Sequence, residues 1–399
     1  MARTRIAIVG GRLQGIEAAY LCSKAAFTTV LIDRDSNPPA KGLSDEFHQI
    51  DIVANSEKEK EKAKHALRRC DAVLPANENR TTLVVLQKLC HKLQIPFLQD
   101  NEAFWITSNK RESMKFFRKS RVSTPETWPK SGFPVIIKPS NKSGSESVYR
   151  ADNRRQLKKA LAIVTKVDRN PVVQEYVEGL ALSVEVMSRR GVGQPLQITG
   201  LEFDEAYGCK RVYAPVEVHS SVEKRMKRIG MEIALNLRLN GLIDVQALLR
   251  GSSPRVNDIN ARLPSQTPSV VYHSTKINMA ELLTRLFLDD RLLPARIHER
   301  RAVLYQHVKV LGKELRVQGE HVMADASDLR LKKDFLGADE AITNLELGVD
   351  ATNRVATLMV KGKDLASATE KMKEAVGNVM IEYGLDHYAD PSPGRGYDS

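Results

Sequence analysis

Residues 258–268 read Asp-Ile-Asn-Ala-Arg-Leu-Pro-Ser-Gln-Thr-Pro. An acid and an amide stand two residues apart. Side chains i and i+2 of a strand project from one face, so Asp258 and Asn260 can offer oxygens to one hard cation. Arg262 continues that spacing with a guanidinium fork. Magnesium with a guanidinium is the usual equipment for a transferring phosphoryl group. The tail Ser265-Gln266-Thr267 is dense in neutral hydrogen-bonding groups, which suits a polar substrate held without a second charge. A strand end followed by a proline-bounded polar turn is the blander reading of the same residues. The surrounding chain decides between them.

Upstream of this stretch, Val135-Ile-Ile-Lys138-Pro139 reads as a strand that ends on a lysine. A lysine there can neutralise phosphates as a point charge. The polar loop at 140–147 that follows has small residues whose amides can fold over phosphates. It is not a Walker A loop, because G-x-x-x-x-G-K-[ST] is absent. Lys110, in the first turn of a helix expected over 109–119, can be a second phosphate contact. Gln174-Glu-Tyr-Val-Glu-Gly179 is a strand that breaks into a glycine turn. Such a hinge exposes main-chain groups to the edge of adenine and leaves an acid for ribose hydroxyls. Ser183 and Glu185 share one face of the next strand, where Glu185 is a candidate for a substrate amine. Asp244 lies on the first strand of a hairpin with the 255–260 strand, as a metal-side or amine-side carboxylate. Each of these residues alone is as compatible with a solvated charge or an edge-strand carboxylate.

The N-terminal region reads as a strand–turn–helix–strand unit that opens a doubly wound sheet, with strands at 4–10 and 28–32 and a helix over 16–24. Further strands are expected at 47–52 and 72–74, and a helix over 81–93. The dinucleotide fingerprint wants glycines at its first, third and sixth places. Here those places hold Gly10, Arg12 and Gly15. Arg12 blocks the close backbone approach a pyrophosphate needs, so an NAD site is disfavoured. Asp33 still stands where a ribose-binding acid would, and Arg12 supplies a cation, so both are candidate nucleotide contacts. The turn either packs tightly and does nothing more, or presents Arg12, Leu13 and Gln14 to a ligand. Glu78, just after the 72–74 strand, can hold an ammonium group or start a helix.

The chain has 399 residues, 42% of them hydrophobic and 28% charged, which implies a soluble protein of two or three domains. It contains no apolar run long enough for a membrane span. The four cysteines show no C-x-x-C spacing and suit free thiols in a reducing cytoplasm. A formal charge of +12 raises the question of nucleic acid. The basic residues are spread along the chain and do not interleave with aromatics as a stacking platform requires, so no nucleic-acid or membrane partner is expected. After 302 the pattern turns β-rich, with a strand at 354–360 and a final helix carrying Leu365 to Tyr383.

The order V-I-I-K-P, polar loop, Q-E-Y-V-E-G, strand acid, D-I-N-A-R resembles the ATP-grasp superfamily. Within it, G-G-R-L-Q-G-I-E-A-A-Y, V-L-P-A-N-E-N, F-D-E-A-Y-G-C and A-R-L-P-S-Q-T-P look like the ligases of pyrrolysine biosynthesis, which join 3-methyl-D-ornithine to L-lysine. The resemblance runs from about residue 4 to 285. It implies an α/β protein: an ATP-grasp fold preceded by a Rossmann-like parallel-sheet domain. The expected divisions are 1–105 for that domain, 106–172 for a lid subdomain, 173–388 for the C-terminal subdomain and 389–399 for a disordered tail. The implied cofactors are ATP and Mg2+. Lys110 and Lys138 would contact phosphates, Glu175 and Val177 adenine, and Glu178 ribose. Asp258 and Asn260 would bind magnesium, with Asp244 beside them. Ser183, Val184, Glu185, Asp244 and Ser265 to Thr267 would surround the ornithine-type substrate (3-methyl-D-ornithine or D-ornithine). Leu13, Gln14 and Glu78 would receive L-lysine. Lys138 and Arg262 would act on the reacting phosphoryl group. A homodimer is compatible with the resemblance. Two places depart from the family pattern: Arg12 replaces a lysine, and Asp258 with Asn260 replaces a glutamate and an aspartate. The rival readings are another ATP-grasp amino-acid ligase, D-alanine-type or carbamoyl-forming, and a non-catalytic nucleotide-binding protein.

Overall fold

The apolar run Arg5–Val9 becomes a strand with Ile6 to Val9 all buried, as a central parallel strand covered on both faces must be. It pairs in parallel with Thr28–Asp33 and Ala72–Pro75, and Glu46–Gln49 adds outside Thr28–Asp33. Helix Leu13–Lys24 follows the first turn. Gly10 has φ +109°, and a Cβ there would lie 2.5 Å from the Ala76 carbonyl oxygen. Only glycine meets both demands. The computed structural model describes residues 3–142, 144–346 and 353–393. They fall into two compact units: 1–99 with 263–316 and 320–389, and 100–262 with 317–319 and 390–399.

The first unit adds to the parallel sheet a mostly antiparallel one. Its strands run Ala302–Leu311, Val355–Gly362, Ala338–Thr343 and Arg330–Phe335. Helices Thr267–Thr275, Met279–Asp289 and Leu365–Glu382 belong to the same unit.

The second unit holds two antiparallel sheets. The smaller has Val135–Lys138 at its centre, between Tyr149–Ala151 and Val172–Glu175. Val135 and Ile137 turn inward onto helix Arg154–Val167, forming a core with Leu157, Ala160 and Val164. The period of two then sends Ile136 and Lys138 to the opposite face. The larger sheet runs Ser253–Asn260, Gly241–Arg250, Ala181–Arg189, Val192–Phe203 and Cys209–Ala214. Its inward face packs on helix Ser220–Asn236 through Val184, Val186, Val245, Met226 and Ile233.

Several expectations are corrected. The strand expected over 47–52 is Glu46–Gln49. Strands Val192–Phe203 and Cys209–Ala214 escaped the sequence reading, because Gly193, Pro195 and Gly200 interrupt the first one's alternation. Thr267 does not end a polar turn: it opens helix Thr267–Thr275, with Pro268 in the first turn, where its missing N–H costs nothing. The strand that carries Asp258 stops at Asn260, so Arg262 does not continue its face but stands in the bend beyond it. Tyr388 and Ala389 are paired in a strand, and contacts hold Asp390 to Ser392. Of the tail expected to be disordered, residues 394–399 lie outside the described residues.

Candidate active site

A cavity of about 470 Å³ opens in the second unit. Lys110, Ile136, Lys138 and Gln174 to Val177 line it, with Asn257 and Asp258 and the aromatic rings of Phe203, Tyr207 and Tyr213. An apolar and aromatic surface with a few convergent charges is the usual make-up of a ligand site. Of the expected nucleotide contacts, Lys110, Lys138, Glu175 and Val177 are therefore brought together. Glu178 is exposed and does not line the cavity. Arg12 and Asp33 belong to the first unit, where Asp33 accepts a hydrogen bond of 2.6 Å from the Gly11 amide and Arg12 is exposed.

Lys138 is buried, and its ammonium donates to the Asn257 carbonyl at 3.1 Å. Burial pulls its pKa down to about 8; Asp258 resists that shift and Lys110 adds to it. A buried cation that borders a cavity beside one carboxylate suits an anionic ligand. Lys110 donates to the Lys142 carbonyl at 2.6 Å, and its own amide donates to the Ser140 carbonyl at 2.8 Å. Ser140 is held by Asp168, which accepts from its amide and its hydroxyl at 2.5 and 2.6 Å. Asp168 was missed in the sequence because nothing near it reads as a motif. Beyond Ser140, Gly144 and Ser145 line the cavity at φ +62° and +58°. Glu175 pairs with Arg250 at 2.8 Å and accepts from the Glu126 amide at 3.2 Å. Arg150 stacks over Tyr176, 4.2 Å from the ring centre. In the F-D-E-A-Y-G-C stretch, Asp204 accepts from the Ala206 and Gly208 amides, and this turn carries Tyr207 into the lining at φ +64°.

The strand Ser253–Asn260 reaches the cavity through a β-bulge. Gln246 opposes Asp258, while the next residue, Ala247, opposes Val256. Asn257 is thus the extra residue. Val256 and Ile259 both face the core, which ordinary alternation would forbid, and Asn257 and Asp258 both line the cavity.

Beside Asp258, the neighbouring strands assemble a buried polar cluster. Ser183, Glu185 and Asp244 are almost completely inaccessible. The Ser183 hydroxyl lies 2.5 Å from Asp244 Oδ1 and 3.1 Å from Glu185 Oε1. Gln246 and Asn260 donate to Asp244 Oδ2 at 2.8 and 3.4 Å. Burial raises the Asp244 pKa; hydrogen bonding from Ser183 and the Arg262 charge oppose it. Thr199, opposite Ser183 on the strand the sequence reading missed, adds a buried hydroxyl. Val184 turns its side chain the other way, into the core. Two buried carboxylates thus stand with hydroxyl and amide partners behind the cavity wall, which Gln246 lines.

The remaining expected residues belong to the first unit. Gln14 donates to Glu78 at 2.8 Å, with Leu13 at the start of the same helix. Gln266 sits at φ +76°, a conformation L side chains rarely adopt, with its amide 2.5 Å from His307 Nε2. His307 is also 2.7 Å from Thr357, and burial pushes its pKa down to about 3. The Ser269 amide donates to Glu17 at 2.6 Å; burial holds that carboxyl up at about 7. Glu17 and His307 thus brace Ser265 to Thr267 from behind. Glu17 lies inside a helix the sequence did reveal, but only the tertiary fold assigns it that part.

An ATP-grasp domain family matches residues 107–266. The 3-methyl-D-ornithine–L-lysine ligase of Methanosarcina barkeri is 35% identical over 325 residues, covering 81% of this chain and 85% of that enzyme. The enzyme of the same name from Methanosarcina acetivorans is 30% identical over 383 residues, covering 95% and 98%. Among solved structures, N5-carboxyaminoimidazole ribonucleotide synthetase with ADP aligns over 96% of this chain and 99% of its own (TM-score 0.72, 13% identity). An L-amino acid ligase from Bacillus licheniformis aligns over 94% and 98% (TM-score 0.67, 16% identity). These structures share the ATP-grasp fold expected from the sequence.

Proposed function

Because the chain belongs to the 3-methyl-D-ornithine–L-lysine ligase family of ATP-grasp enzymes and is an ATP-dependent carboxylate–amine ligase, we propose that it joins 3-methyl-D-ornithine, or D-ornithine, to the ε-amine of L-lysine. The observation that carries this reading is the buried Ser183–Glu185–Asp244 cluster beside a cavity that holds Lys138 and Asp258. We take the acidic cluster as the group that reads the amines and the Lys138 side of the cavity as the group that reads phosphates. Paired acids favour a diamino substrate over alanine, which sets aside the D-alanine-type reading.

In the proposed reaction, Glu175 to Val177 hold the base of ATP by main-chain groups and Lys110 and Lys138 meet the phosphates; Glu178, exposed and off the cavity lining, is given the ribose on the family resemblance alone. The ornithine carboxylate attacks the γ-phosphorus, releasing ADP and forming an acylphosphate. Arg262 offsets the charge that develops. The lysine ε-amine, entering deprotonated, attacks the acyl carbon. The tetrahedral intermediate collapses to the amide with loss of phosphate. Glu185 and Asp244 hold the ornithine-type amines. The lysine contacts at Leu13, Gln14 and Glu78, and the substrate contacts at Ser265 to Thr267, are proposed on the family resemblance alone.

Asp258 and Asn260 fit magnesium, which takes one or two protein oxygens and completes its shell with phosphate and water. Asp258 lines the cavity, whereas Asp244 stands off the lining in the Ser183–Glu185 cluster, so we assign Asp244 to the amine. When bound, the cation would neutralise phosphate charge. We place the enzyme in the cytoplasm, as a homodimer acting on small molecules. Free Cys22, Cys70 and Cys90, with burial raising their thiols to about 12, 11 and 12, suit a reducing compartment. No described helix is long and apolar enough to cross a membrane. The test is ADP release from purified protein given D-ornithine, L-lysine, ATP and magnesium. The expected result is lysine-dependent ADP and a product whose mass equals that of D-ornithine plus L-lysine less one water; absence of both would refute the reading.

A further inference from the structure

The chain's last described residues, Asp390 to Pro393, belong with the second unit, and two of them border its cavity. Ser392 and Pro393 stand in the lining together with Tyr207 and Tyr213. The anchor behind them is Lys210, on strand Cys209–Ala214, with its side chain only 3% exposed. Its ammonium donates to Asp390 Oδ1 at 2.6 Å, to the Pro391 carbonyl at 2.6 Å and to the Ser392 hydroxyl at 3.1 Å. An ammonium has three donors, and all three are used on this segment. Arg211 grips the other carboxylate oxygen, Asp390 Oδ2, at 2.6 Å and also pairs with Glu202. A buried lysine is costly unless paired, so the segment and Lys210 hold each other in place.

We propose that Asp390 to Pro393 form a fixed wall of the nucleotide site, with Asp390 the positioning residue that seats Ser392 and Pro393 against the bound nucleoside phosphate. The inference rests on the reading of this cavity as a nucleotide site. Nothing in the ATP-grasp motifs points to it, since the segment follows the last of them by more than a hundred residues. Loss of the wall opens the cavity and shortens the lifetime of the bound nucleotide, while the phosphate-side groups Lys138 and Asp258 stay where they are.

The test is titration of magnesium–ADP into the full chain, into the chain ended at Ala389, and into Asp390→Ala and Asp390→Glu. The shortened chain and Asp390→Ala should bind ADP about tenfold or more weakly. Asp390→Glu, which keeps the charge, should recover most of the affinity. In turnover, KM for ATP should rise by the same factor with kcat at saturating ATP nearly kept, a split that general loosening of the fold does not produce. Equal ADP affinity in the full and shortened chains would overturn the proposal. If the full chain itself bound no ADP, the nucleotide reading would fall and this inference with it. Should Asp390→Ala not fold, the double variant Lys210→Met/Asp390→Leu removes both charges without stranding either, and unchanged ADP affinity there refutes the proposal equally.

Discussion

The two units bury their ionisable groups to different ends. In the second, Lys138 is buried but faces a cavity, and among the described residues one backbone carbonyl takes its hydrogen bond. In the first, Glu17 and His307 are buried against their own unit's backbone and side chains. Both arrangements shift pKa values through desolvation. Only the Lys138 arrangement leaves the charged group something to do. A perturbed pKa therefore marks a chemical group when an open cavity adjoins it, and a brace when protein fills the space.

Breaking each side of this contrast gives different readouts. Lys138→Ala should lower kcat/KM for ATP by about 10²–10³-fold, measured as ADP release, with the folding midpoint little changed. Glu17→Gln should do the reverse, leaving ATP affinity alone and changing stability. The Glu17 carboxyl is held at about 7, above its ordinary 4.5. The unfolded chain thus releases that proton first, and stability drains away as pH rises from about 4.5 to 7. Glutamine keeps an acceptor for the Ser269 amide without the ionisation. It should gain about 3 kcal/mol at pH 8 relative to its effect at pH 4, read by urea unfolding at both. A gain that did not depend on pH would assign Glu17 some other part.

Smaller effects sharpen the contrast within the second unit. Asp258→Asn should raise the magnesium needed for half-maximal rate about tenfold, whereas Asp244→Asn should raise KM for the ornithine-type substrate instead. Equal effects on both constants would show that the two acids share one role. Lys138, at about 8 in the free protein, should lose its charge on the alkaline side. From pH 8 to 9, kcat/KM for ATP should fall about fivefold, and Lys138→Arg should flatten that limb.

What could be read from the sequence divides along similar lines. The V-I-I-K run and the Q-E-Y-V-E-G hinge reveal themselves because strand alternation and the glycine turn are local. The expected cavity contacts at Lys110, Lys138, Glu175, Val177 and Asp258 do line one cavity. The braces do not show. Asp168 reaches Ser140 across 28 positions, Glu17 reaches Ser269 across 252, and Lys210 reaches Asp390 across 180. Each looks like an ordinary charge until the fold supplies its partner. Strand Val192–Phe203 was hidden for a local reason, because its glycines and proline mimic a loop.

The extra residue at Asn257 has a consequence for how this activity can be lost. Asp258 and Asn260 stay two apart whether or not that residue is present, so a scan for the motif reports it intact either way. Without it, plain alternation resumes: Val256 and Ile259 keep the core side and Asp258 the cavity side, and what is lost is Asn257 itself, whose carbonyl accepts from Lys138. Deletion of one codon, with every recognised ligand still encoded, would leave the motif intact and Lys138 without the carbonyl that now accepts its hydrogen bond. Inheritance of the chemistry here depends on a count of backbone positions as much as on which side chains are kept.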